Sequence, residues 1–140
     1  MVYLKLALVS ALVLLSLDTI WLSFIAKSWY KTYYAPWLRL DDAGQLQIIW
    51  WAAGLVYVLL ITGLLGLVVP LANHDMWRAL GFGALLGCIT YGVYDFTCLA
   101  IFKQMPVGMA FVDWAWGTFV CAVSACITVW AHNGFKATLL

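Results

Sequence analysis

The sequence predicts an all-α integral membrane protein, a bundle of four transmembrane helices forming one domain over residues 1–140. Three observations carry this. The nine apolar types from Ala to Trp, Tyr and Cys make up 66% of the chain and charged residues only 9%, where a soluble domain has roughly 45–50% and about 25%. The apolar residues gather in four continuous runs, each near the roughly 20 residues that a membrane helix needs. Each run is bracketed by charged or turn-forming residues. Continuous runs, not alternating ones, exclude a β-barrel. Seven basic and six acidic residues exclude a soluble enzyme, a disordered chain and a nucleic-acid binder with a basic stripe.

The first span is expected at about 3–26, interrupted by Lys5 and Asp18 and closed by Lys27 and Lys31. It is too long for a signal peptide, and no small-residue cleavage pattern follows it, so it reads as a retained helix. The loop at 27–45 carries Trp29, Tyr30, Tyr33, Tyr34 and Trp37. This run reads as an aromatic belt at the headgroup level, with Pro36 as a turn. The second span, about 46–70, starts after Asp41, Asp42 and Gly44. Asn73, His74 and Asp75 separate it from the third, about 76–102. Lys103 and Pro106 precede the fourth, about 107–131, which is expected to end at His132, Asn133 and Gly134. The membrane side holding the first and third loops carries Lys27, Lys31, Arg39 and Lys103, against Lys5, Arg78 and Lys136 on the other. That balance is nearly even and tilts the first side towards the cytoplasm. Cys88, Cys98, Cys121 and Cys126 lie in apolar runs without a CxxC pair and read as free packing thiols.

Three aspartates, Asp18, Asp95 and Asp113, lie inside the spans, and no Lys, Arg or His lies at comparable depth. Carboxyl groups in hydrocarbon normally face the bundle interior and serve a function. Asp18 precedes Lys27 by nine residues, Asp95 precedes Lys103 by eight, and Asp113 follows Pro106 by seven. At 1.5 Å per residue these offsets are about 13, 12 and 10 Å, so the three sit at similar depth. The faces agree: Ser10, Leu14, Asp18, Trp21 and Ile25 share one stripe, Gly87, Tyr91, Asp95 and Cys98 a second, and Asp113, Gly117, Cys121, Ser124 and Thr128 a third. Such small and polar stripes suit helix interfaces in lipid, and Gly83 with Gly87 forms a GxxxG packing pair. Trp21, Tyr91, Tyr94, Trp114 and Trp116 surround the acids, and the second span offers Tyr57 at the matching depth. Tyrosine and tryptophan can donate to carboxylates while lining an apolar pocket. Two carboxyl groups that share a proton supply an acid and a base.

Other chemistries lack their residues. His74 and His132 lie at span ends, far from the acids, which argues against haem or di-iron. No serine has a histidine partner for a triad, and no phosphate or dinucleotide fingerprint occurs. Three carboxylates fall short of the oxygen ligands that hard cations require, so neither metal nor cofactor is expected. The terminal Thr138, Leu139 and Leu140 carry no lipidation signal.

The third and fourth spans carry two segments, Tyr91-Gly92-Val93-Tyr94-Asp95-Phe96-Thr97-Cys98-Leu99-Ala100 and Val112-Asp113-Trp114-Ala115-Trp116-Gly117-Thr118; the first span has Asp18-Thr19-Ile20-Trp21-Leu22. Together they resemble a bacterial membrane family, the domain of unknown function 2177, over most of the chain. Its pattern has Tyr-x-x-Tyr-Asp-(Leu/Phe)-Thr-Asn-Leu-Ala and Asp-x-x-Trp-Gly-Thr segments. The resemblance implies a four-helix protein of the bacterial inner membrane, with Asp18, Trp21, Tyr94, Asp95, Thr97, Asp113, Trp116 and Gly117 as its signature. Cys98 replaces the family's Asn, so a role needing that amide does not carry over. The resemblance implies no activity.

The residues favour a site that binds, and can modify by acid–base chemistry, a membrane lipid, isoprenoid or other lipophilic small molecule. In this reading Asp95 and Asp113 are the acid–base pair, and Asp18 holds one of them in its protonation state or positions the ligand. Trp21, Tyr57, Tyr91, Tyr94, Thr97, Trp114 and Trp116 line the pocket. Two alternatives stay open: a proton-linked transporter or pore working as a homo-oligomer, and a structural subunit docking a membrane partner protein. No nucleic acid is expected.

Overall fold

A computed structural model describes residues 1–35 and 37–137, the last two without their side chains. The turn expected at Pro36, the charge of Lys136 and the reading of Thr138, Leu139 and Leu140 lie outside the described residues. The order is α1 (Val2–Ile20), a π-helical stretch (Trp21–Ile25), α2 (Lys27–Tyr33), α3 (Trp50–Gly63), a second π-helical stretch (Leu64–Val68), α4 (Val69–Ala72), α5 (Met76–Ile101) and α6 (Val107–Ala137). Four spans are long and apolar enough to cross a membrane: Val2–Ile25, Trp50–Ala72, Met76–Ile101 and Val107–Phe135. Their outer faces present leucine, isoleucine, valine and aromatic side chains, as lipid contact requires.

Two boundaries differ from the sequence reading. The second span begins at Trp50, not residue 46, because a hairpin-like turn consumes the chain before it. Leu40 bridges Leu46, Gln47 N–H donates to Arg39 O at 2.7 Å, and the Asp41 carboxyl accepts from Ala43 and Gln45 N–H. Gly44 takes the left-handed conformation that this turn needs, φ +72°. The last helix runs on to Ala137. Asn133 explains part of this: it donates to His74 O at 3.0 Å and meets His74 Nδ1 at 2.8 Å. This clasp, with His132 packed beside the His74 ring, ties α6 to the turn before α5.

The α5–α6 pair is the tightest in the bundle. A Cβ on Gly83 would stand 2.5 Å from the Ala125 Cβ, and one on Gly87 would strike the Gly117 carbonyl. These glycines therefore act as the packing pair that the GxxxG spacing suggests. On α1, the row Leu6, Ser10, Leu14 and Asp18 is buried. Ser10 and Thr128 meet at 2.9 Å, which joins α1 to α6. The row breaks after Asp18. Ala26 N–H reaches back five residues to Trp21 O at 2.8 Å, and the extra residue in that turn carries Ile25 outward to 49% exposure. In the second span Pro70 gives a local cause for the π stretch before it, since it has no N–H and crowds the preceding turn. All four cysteines are free thiols.

Candidate functional site

The three aspartates differ in what they are given. Asp18 receives two donors: Trp116 Nε1–H on Oδ1 at 2.9 Å and Tyr57 O–H on Oδ2 at 3.0 Å. These bonds tie α1, α3 and α6 at one depth. The π-helical turn after Asp18 sets Trp21 parallel to Trp116, with ring centres 4.4 Å apart. Asp113 receives one donor, the Tyr30 hydroxyl on Oδ1. Asp95 receives none. It is 0% exposed, and neither carboxyl oxygen has a hydrogen-bond partner. Asp113 lies within electrostatic reach of both the others. Among the described residues no three His, Cys, Asp or Glu side chains converge as a metal site.

The residues named from sequence divide into groups. Trp21, Tyr57 and Trp116 form the Asp18 network. Tyr91 packs its ring on Gly117, where any Cβ would collide with it, and Gly117 is thus the seat of Tyr91. Tyr91, Tyr94 and Asp113 line a cavity of about 370 Å³ with Thr90, Leu86 and the α3 residues Val56, Leu59 and Leu60. Trp114 is not with them. Its indole donates to Cys88 O at 2.9 Å and packs against Phe96 and Phe111. Thr97 is exposed.

The cavity exists because α5 meets the second span chiefly through α4 and the Leu64–Val68 stretch, while α3 leans on α1. The upper halves of the second and third spans therefore part. Val56 and Leu59 are both wall residues and outward-facing, so the gap opens sideways towards lipid.

Sequence reasoning missed Tyr30 and Tyr34, which it assigned to a headgroup belt. Tyr30 turns inward onto Asp113, and Tyr34 stacks on Tyr30 with ring centres 5.0 Å apart. Tyr34 also lies within electrostatic reach of Asp113 and Asp95. Burial, then the Asp113 carboxylate, holds the Tyr30 hydroxyl well above the usual phenol range, and Tyr34 is raised for the same two reasons. Their signal was the four-residue spacing, one face of a short helix. Trp29 and Tyr33, on another face, line a groove against the start of α6. Thus α2 is a cap over the acids, and Trp37 extends it onto Phe102.

The family model described as "predicted membrane protein (DUF2177)" matches residues 3–130. The chain belongs to this family. No curated protein and no solved structure matches it. As a family member it is a membrane protein with four candidate spans, and its chemistry must be read from the site.

Proposed function

We propose that this DUF2177 protein binds a lipophilic molecule, lipid- or isoprenoid-like, in the bacterial inner membrane and exchanges protons with it at Asp113. The observation that carries this reading is the cavity between the second and third spans. Its walls are leucine, valine, threonine and tyrosine, Asp113 is among them, and it opens towards lipid. Its volume of about 370 Å³ falls in the range of small-molecule sites, about 300–1,000 Å³. An apolar body with one polar end fits such a shape. Asp113, held by Tyr30 on one oxygen, faces that polar end and can give or take a proton. Asp95 is a second carboxyl group within electrostatic reach of Asp113, and Asp18 bonds Tyr57 and Trp116 on two other helices. The Asp18 bonds favour a structural role for that one acid, which the assembly reading extends to all three.

The test is to purify the full chain in mild detergent, extract it, and identify bound small molecules by mass spectrometry. Leu59→Trp, which fills the cavity from its exposed wall, is the comparison. A stoichiometric lipophilic compound on the wild type and not on Leu59→Trp is expected. Bulk phospholipid alone on both would overturn the proposal.

A further inference from the structure

We infer that the polar end of the ligand is a cation, an amine or ammonium group on an apolar body. This rests on the binding proposal above and names the chemistry of its ligand. The donor supply of the site leads to it. Among the described residues the side-chain hydrogen bonds made to the acids go to Asp18, with two, and to Oδ1 of Asp113, with one. Among the described residues no donor reaches Oδ2 of Asp113 or either oxygen of Asp95. Asp95 is fully buried with two unpartnered oxygens, where buried polar groups are otherwise paired.

Charge points the same way. Asp95 lies within electrostatic reach of Asp113. No Lys, Arg or His lies at their depth in any span, and the cations with aromatic contacts, Lys5 and Arg78, sit over Phe135 and Phe82, away from this cluster. What the spans do not bring to this depth is positive charge. The cavity wall beside Asp113 is built for it, because Tyr91 and Tyr94 present aromatic rings, which attract cations. A metal ion is disfavoured by the absence of a three-ligand cluster among the described residues. An amine suits a lipid-facing opening, since its neutral form partitions into hydrocarbon. At the site the neutral amine takes the proton of an Asp113 carboxylic acid, which leaves an ammonium–carboxylate pair with no other reactant.

The test is equilibrium binding of radiolabelled dodecylamine to the full chain in dodecyl maltoside, competed with unlabelled dodecylamine or dodecanol. These have equal chain lengths and differ in the head. Saturable binding, with the amine competing at least tenfold better than the alcohol, is expected on the wild type. Asp113→Asn should weaken it at least tenfold, Leu59→Trp should abolish it, and Asp42→Asn, on the exposed turn, should leave it unchanged. Equal competition by amine and alcohol, with loss in Leu59→Trp, would overturn the cation inference and keep the cavity reading. No saturable binding of either would overturn both. The amine-to-alcohol ratio is read on the wild type and does not depend on any variant folding.

Discussion

Replacing Asp18 by Asn and by Leu should have very different costs. Asp18 accepts from Trp116 at 2.9 Å and from Tyr57 at 3.0 Å. Leucine removes both acceptors and leaves an indole N–H and a phenol O–H inside the bundle. Interhelical bonds in membranes average about 0.6 kcal/mol and reach about 1.7, so two lost bonds amount to roughly 1–3 kcal/mol. Asparagine can keep both. Its carbonyl accepts from Trp116, which can only donate, and its amide donates to the Tyr57 oxygen, which can reverse its role. Asp18→Asn should therefore cost under about 1 kcal/mol, the difference between charge-assisted and neutral bonds. Detergent-denaturation curves of the three proteins read these values directly. An Asn variant as unstable as the Leu variant, or a Leu variant as stable as wild type, would refute the argument.

Four further outcomes follow from the packing and the cap. Gly117→Ala should destabilise by about 1–3 kcal/mol through overpacking against the Tyr91 ring. Gly54→Ala, with nothing within 4 Å, should be neutral or gain up to about 1 kcal/mol of helix propensity in the same melts. The raised Tyr30 pKa means that the folded chain keeps this proton to higher pH than the unfolded chain does. Its contribution is thus complete below the ordinary value of 10.0 and is lost as pH rises above it. Alkaline absorbance titration should show the same phenolate signal for wild type and Tyr30→Phe near pH 10, and a deficit in Tyr30→Phe only at higher pH. Trp21→Leu removes the stacked ring over Trp116 and should cost about 0.5–1.5 kcal/mol beyond area burial.

The four spans were legible because lipid demands continuous apolar runs, and their starts at Met76 and Val107 coincide with the structure. The α5–α6 interface was legible because Gly83 and Gly87 are four apart. Helical rise alone suggested that the three acids come near one another, and Asp113 does lie within electrostatic reach of Asp95 and Asp18. The difference among them was not. Whether Asp18 has two donors or Asp95 none depends on how α1, α3, α5 and α6 rotate against one another, and no local signal marks those rotations. Trp114 sits beside Asp113 in sequence, yet helical geometry points neighbours about 100° apart, and it faces Cys88. Tyr30 and Tyr34 were hidden because an aromatic run after a span looks the same whether it lies at the headgroups or folds back as α2.

The central claim is that the three acids inside the spans are unequal: we propose that Asp18 is structural and that Asp113 is the acid that the ligand meets. Native mass spectrometry of wild type, Asp18→Asn and Asp113→Asn, released from the same detergent, tests it most directly. The account predicts a small-molecule adduct that persists in Asp18→Asn and is lost in Asp113→Asn. An adduct lost from Asp18→Asn and retained by Asp113→Asn would contradict it.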